Sequence, residues 1–188
     1  MQFLHTEKII GSSPIASTIT LNRIMLSLTK NALTPDDCKK IIKRGLLITR
    51  LFESWHISDN GYGDVDTSRM FIGHYIQGIL KNTSIPKTPS VELVKYNPGS
   101  SAKIHIDVAG PYRSSFIKTD NVTWQQTGIV VLNNDFEGGE LFFPELNFNY
   151  GKESVGDLIV FPAGDSKFAH GVTTVTAGTR YSLVFRFC

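Results

Sequence analysis

The 188-residue chain is 41% hydrophobic and 19% charged, the balance of a folded domain and not of a disordered segment. Its net charge of +2 makes no global case for nucleic acid, although a local basic patch stays open, and two cysteines, Cys38 and Cys188, are too few for a disulfide framework. One domain is expected at this length, with a helical support region over 1–90 and a β-rich core over 91–188. His5, Glu7 and Lys8 interrupt the opening residues, so no signal peptide is read. No run of about 18 apolar residues occurs, so no membrane span is expected and the expected location is the cytoplasm.

Taken in order, Ser17 to Leu28 alternates loosely and reads as a strand lying against a main sheet. Thr34-Pro35-Asp36-Asp37 then reads as a helix start: Thr34 caps, Pro35 suits the first helical position, and two carboxylates meet the positive end of the dipole. Cys38, Ile41, Ile42, Leu46 and Leu47 recur at helical spacing as its inner stripe, with Lys39, Lys40, Lys43 and Arg44 as a solvated face. Residues 57–65 form a polar, Gly-containing loop. Arg69 to Leu80 fits a second helix, with a first half that also suits a strand, and His74 within it reads as a surface or structural histidine.

From Val91 onward the pattern changes to short β-type runs broken by Gly, Pro, Asn and Asp. They are Val91–Tyr96, Lys103–Asp107, Gly128–Leu132, Glu140–Phe143, Phe148–Tyr150, Asp157–Phe161, Phe168–Thr174 and Arg180–Phe187. Eight such runs without helices between them predict a jelly roll or barrel. The longest gap, Val108–Gln126, holds Tyr112, Arg113 and Trp124; it reads as a lid over a site or as an ordinary surface insertion.

His105 and Asp107 are two apart on a predicted strand and so share a face. The pair alone is a weak signal. His170 strengthens it, because the intervening strands of a jelly roll can return it beside the first two. Two imidazoles and one carboxylate form the facial triad that suits Fe(II) and leaves three positions open for dioxygen chemistry. Zinc is the competing metal, but a hydrolytic zinc site would want a general base that the sequence does not offer.

Ten residues beyond His170 stands Arg180, on one strand face with Ser182, while Tyr181, Leu183, Phe185 and Phe187 make the opposite, apolar face. A planar guanidinium matches a carboxylate in bidentate fashion, and a serine hydroxyl adds a further bond. That pairing suits the distal carboxylate of a 2-oxo diacid such as 2-oxoglutarate, whose other end would chelate the metal. Gly138-Gly139 reads as a hairpin device.

The second half resembles the Fe(II)- and 2-oxoglutarate-dependent oxygenases, most of all their prolyl 4-hydroxylase branch. The matching runs are Leu93-Val94-Lys95-Tyr96-Asn97-Pro98-Gly99, His105-Ile106-Asp107, Val131-Leu132-Asn133, Phe136-Glu137-Gly138-Gly139-Glu140-Leu141-Phe142-Phe143-Pro144, Gly156-Asp157-Leu158-Ile159-Val160-Phe161, His170-Gly171-Val172 and Gly178-Thr179-Arg180. Leu33 to Cys38 is similar to that family's opening helix. The resemblance implies a double-stranded β-helix with N-terminal helices packed on one sheet. It implies His105, Asp107 and His170 as catalytic iron ligands, Arg180 on the distal carboxylate, and Tyr96 in the co-substrate pocket. It further implies hydroxylation of an unactivated C–H bond with dioxygen, release of succinate and carbon dioxide, ascorbate as reductant, and a peptidyl proline as substrate. Val131 stands where many prolyl hydroxylases carry a tyrosine, which leaves Ser182 or Tyr96 for that contact. Arg180 stands where several carry lysine.

Three other readings stay open. Arg180 to Arg186 also resembles the strand of AlkB-type nucleic-acid demethylases, in which a second arginine, here Arg186, shares the pocket face; Ser182 departs from the asparagine usual there. A free amino acid or other small molecule is an alternative substrate to a peptide. A non-enzymatic, cupin-like binding module would require that the three metal ligands not converge.

Overall fold

In the computed structural model the described residues are 16–21, 24–52, 56–57, 67–88, 90–107, 111–113, 118–123 and 125–187. In chain order the elements are β1 (Ala16–Leu21), β2 (Ile24–Thr29), α1 (Pro35–Phe52), β3 (His56–Ile57), β4 (Thr67–Phe71), α2 (Gly73–Leu80), β5 (Ser90–Tyr96), β6 (Ala102–His105), β7 (Pro111–Arg113), β8 (Lys118–Thr123) and β9 (Gln126–Val131). Then come β10 (Phe136–Gly138), β11 (Leu141–Phe143), β12 (Phe148–Tyr150), β13 (Leu158–Pro162), β14 (His170–Val172), β15 (Val175–Gly178) and β16 (Arg180–Phe187). An eight-stranded sheet has the order β1-β2-β13-β9-β16-β5-β4-β3, and a four-stranded sheet the order β12-β11-β14-β6. The two sheets face each other as a double-stranded β-helix with the helices on the outer face of the larger one, the architecture the strand pattern predicts.

Alternation along β16 explains the layering. Tyr181, Leu183, Phe185 and Phe187 join a core beneath the helices with Ile41, Ile48, Ile72, Ile76 and Leu93. Val184 joins the second core, between the sheets, with Val94, Val131, Phe143, Ile159 and Phe161. The larger sheet is thus apolar on both faces, and its central strands are rigid supports for whatever polar groups they carry inward.

Helix α1 starts where expected. Thr34 Oγ1 accepts from the Asp37 amide at 3.1 Å, and the Thr34 amide donates back to Asp37 Oδ2 at 3.3 Å, a reciprocal cap. The inner stripe differs from the expected one: Leu46 and Leu47 are 36% and 49% exposed, while Ile48 is buried. The stripe runs through Gly45, where a Cβ would stand 2.2 Å from Leu93 Cδ2, so close helix–sheet approach replaces a side chain there. Lys39, Lys40, Lys43 and Arg44 are solvent-exposed as read, and Lys40 pairs with Asp36.

The residues before 90 also contribute β1 to β4, four strands of the larger sheet, so this region is not helical throughout. The loose run from Ser17 is a hairpin, β1 with β2, and β2 pairs with β13. Arg69 to Leu80 divides into both alternatives, strand to Phe71 and helix from Gly73, and His74 is exposed. The gap Val108–Gln126 contains the β7–β8 hairpin; Trp124 lies outside the described residues, as does all of the 57–65 loop after Ile57.

Candidate metal centre

His105 is the last residue of β6 and pairs with His170, the first of β14, so one antiparallel register places both imidazoles together. Asp107 follows two residues after the end of β6, where no ladder bond holds it; its carbonyl instead accepts from the Gly164 amide at 2.7 Å. The donor atoms of His105, Asp107 and His170 lie within 4.8 Å of one another, close enough for a single ion to reach all three. The run expected to continue as a strand to Asp107 therefore ends early, and Asp107 lies beyond the ladder with its carboxylate beside the imidazoles.

Each imidazole is oriented by a backbone carbonyl two residues before it, in β6 for His105 and in the 3-10 turn ahead of β14 for His170. His105 Nδ1 lies 2.8 Å from the Lys103 carbonyl, and His170 Nδ1 lies 2.9 Å from that of Phe168. A carbonyl only accepts, so Nδ1 carries a proton in both rings and Nε2 is the nitrogen through which each would bind a metal. The Nε2 atoms lie 3.7 Å and 3.9 Å from the two Asp107 oxygens, too far for hydrogen bonds and placed around a common centre. Burial pushes the His170 imidazole down to about 4, against the opposing pull of Asp107, so the ring is neutral at neutral pH as coordination requires. Phe161 and Phe143 pack on that ring, at 4.8 Å and 5.4 Å between centroids, and keep it dry. Burial pushes the Asp107 carboxyl up, but Arg186, His170, Thr127 and His105 outweigh burial and hold it below the usual carboxylate range.

Arg180 is 1% exposed and packs against Tyr96, a member of the inter-sheet core. Its Nη1 donates to Ser182 Oγ at 3.1 Å, and its guanidinium lies 5.1 Å from the centre of the Tyr96 ring, the residue directly across in β5. Its Nε and Nη2 are buried and, among the described residues, have no hydrogen-bond partner. A desolvated cation with two unspent donors is costly unless an anion meets it, and the free edge of the fork has the geometry of a carboxylate partner. The triad and the arginine both border the inter-sheet core: its Phe143 and Phe161 pack on His170, and its Tyr96 packs on Arg180, which also meets Ser182. Ser182 orients the arginine, and Val131, its neighbour across β9, is buried apolar lining.

Sequence reasoning missed Thr127 and Tyr150 and left the partner of Arg186 open. Arg186 does not join Arg180; it reaches Asp107, with Nη2 3.3 Å from Oδ1. Thr127 donates to Asp107 Oδ2 at 2.6 Å. Tyr150 is buried close to Arg180, its hydroxyl donating to the Ser154 and Asp157 carbonyls, and burial drives its phenol far above the usual range. The parity of Arg186 with Arg180 was visible in the sequence; Thr127 carried no motif.

No family model and no curated protein matches the chain. Solved structures do match its fold. The viral collagen prolyl hydroxylase of Paramecium Bursaria Chlorella virus-1, in complex with 2OG, aligns with a TM-score of 0.56 at 16% identity over 86% of this chain and 94% of that one. A Pseudomonas putida prolyl-4-hydroxylase aligns with a TM-score of 0.60 at 17% identity over 88% of this chain and 92% of that one. At these identities the likeness is one of fold, over nearly the whole length of both neighbours. Among the described residues no helix is long and apolar enough to cross a membrane.

Proposed function

We propose that the chain is an Fe(II)- and 2-oxoglutarate-dependent oxygenase that hydroxylates an unactivated C–H bond. The observation that carries this is Arg180: a fully buried guanidinium with two unspent donors, bordering the same inter-sheet core as a two-histidine, one-carboxylate cluster. A monovalent ligand would need only one of these features. A dicarboxylic 2-oxo acid uses both, one carboxylate on Arg180 and the oxo-acid end toward the metal.

His105, Asp107 and His170 would hold the iron. Bound there, iron with dioxygen supplies C–H hydroxylation coupled to conversion of 2-oxoglutarate into succinate and carbon dioxide. The protein's own contribution is geometric. The two carbonyl-bound Nδ1 protons fix the imidazoles, Ser182 and Tyr96 hold the Arg180 fork, and Phe143 and Phe161 exclude water around His170. Both structural neighbours are named as prolyl hydroxylases, and a peptidyl proline is the substrate reading we carry to this chain, with ascorbate as its reductant.

The test is succinate release from 2-oxoglutarate with Fe(II), with and without ascorbate, across proline-rich peptides, free amino acids and methylated single-stranded nucleic acid. Turnover on the peptides is the expected outcome; turnover on nucleic acid alone would replace the hydroxylase reading by the demethylase one. Arg180→Ala removes charge-assisted bonds of roughly 1.5–3 kcal/mol each, so the KM for 2-oxoglutarate should rise at least about tenfold. An unchanged KM in a folded Arg180→Ala protein would remove the arginine from the site.

A further inference from the structure

The metal carboxylate sits in a place that the β-ladder does not control. Asp107 lies beyond the end of β6, and the two Nε2 atoms are too distant to hydrogen-bond it. Its two oxygens are nevertheless both engaged, from neighbouring central strands of the opposite sheet. Thr127 on β9 and Arg186 on β16 are directly paired in register. Thr127 Oγ1 donates to Oδ2 at 2.6 Å, Arg186 Nη2 donates to Oδ1 at 3.3 Å, and Arg186 Nη1 donates to Thr127 Oγ1 at 3.3 Å. A carboxylate only accepts and a guanidinium only donates, so the hydroxyl's one proton goes to the aspartate and one of its two lone pairs takes the guanidinium N–H. The three groups close a ring in which every bond has one direction.

We infer that Arg186 and Thr127 are positioning residues forming a carboxylate clamp, which holds Asp107 turned toward the two imidazoles. This rests on reading the triad as the metal centre. The two members act differently. Thr127 is 0% exposed and neutral; it fixes the rotation of the carboxylate and so presets the ligand geometry. Arg186 supplies the counter-charge that a buried carboxylate needs when no metal is bound. A divalent ion held by the triad would take over that electrostatic role, since a cation on the imidazole side would neutralise the same charge. Removing Thr127's hydroxyl should therefore weaken metal binding, whereas removing Arg186's charge should destabilise the metal-free protein more than the metal-loaded one. An ion pair with a purely structural role would cost the same in both states.

Cobalt(II) serves as the probe, titrated anaerobically into metal-free protein and followed by its visible absorption and by calorimetry. Thr127→Val, which keeps the shape, should lose about tenfold in cobalt affinity, and Thr127→Ser should restore it. Arg186→Met should lower the metal-free thermal midpoint by about 5–10 °C, Arg186→Lys by less, and saturating cobalt should close most of the gap. Thr127→Val binding cobalt as tightly as the unaltered chain, with an equal Arg186→Met loss with and without metal, would overturn the clamp while leaving the metal centre standing. Failure of the unaltered chain to bind cobalt at all would overturn both.

Discussion

Gly139 lies beneath the arginine on which the proposed co-substrate site depends. A Cβ there would stand 3.0 Å from Arg180 Cδ and 2.9 Å from Val175 Cγ2, on a backbone with φ of +65°. Its sequence context, Gly138-Gly139, reads as a turning device, and both residues do have positive φ. The contact with Arg180 was hidden, because it is made across chain segments some forty residues apart. Gly139→Ala should cost about 1–3 kcal/mol of stability for the backbone strain. It should also raise the KM for 2-oxoglutarate more than it lowers kcat, since the arginine stem must move. A loss of stability with an unchanged KM would assign Gly139 to the turn alone. Cys38 makes the opposite case, a residue with reactive chemistry and no role in it. Burial, with Asp37 adding to it, pushes the thiol up to about 12, so the nucleophilic thiolate is absent at neutral pH. The sign follows from linkage: between the ordinary thiol range near 9 and about 12 the unfolded chain releases a proton that the folded chain keeps. Stability therefore falls as pH rises through that window. Iodoacetamide at pH 8 should leave Cys38 unmodified in the folded protein and alkylate it in urea, as read by peptide mass mapping.

At the scale of elements, what could be read from the sequence was what is decided locally. The start of α1 is set by groups within four residues, Thr34 to Asp37, and the structure keeps that cap. Thr34→Ala should cost about 1 kcal/mol in chemical denaturation, and Thr34→Ser close to nothing. β12 and β16 have the boundaries that apolar alternation and flanking turn residues assign to them. Elements shaped by distant partners were read less well. The inner stripe of α1 passes through Gly45 because Leu93 of β5 fills the place of a side chain, which no periodicity in the helix itself reveals. The strand expected over Phe168–Thr174 is shorter, with a 3-10 turn at Ser166–Phe168 held by the Asp165 side chain on the Lys167 amide. That turn delivers the Phe168 carbonyl to His170 Nδ1, so the shorter strand is what orients the ligand. That Arg180 and Ser182 share a strand face was legible from parity, and the return of His170 beside His105 from the run of strands between them; Asp107 joins from beyond the end of β6, where parity does not apply. The clamp on Asp107 was not legible, since it depends on which strands of the opposite sheet come to lie beside it.

The same dependence on distant pairing governs the whole molecule. The order β1-β2-β13-β9-β16-β5-β4-β3 places strands from the first thirty residues beside β13, more than a hundred residues later. β13 is a support of the proposed metal centre: its Phe161 packs on His170 at 4.8 Å and on Phe143 at 5.0 Å. β2 covers its outer edge through the pairs Leu158↔Thr29, Ile159↔Leu28 and Val160↔Ser27, and the turn after β2 adds the Lys30–Asp157 ion pair at 2.6 Å. Removing residues 1–29 would leave that ion pair but strip the edge, exposing unpaired amides and carbonyls on a strand of Leu158, Ile159, Val160 and Phe161. The truncated protein should therefore self-associate through β13, seen as higher-mass species in light scattering, and should lose midpoint temperature. Leu26→Ala separates packing from edge protection: Leu26 is buried in the inter-sheet core, and its truncation should cost about 2–5 kcal/mol while the hairpin still covers the edge. That variant should be less stable yet monodisperse. A truncated protein as monodisperse and stable as the full chain would show that β13 needs no partner on that side, and that the β1–β2 hairpin is an appendage to the sheet.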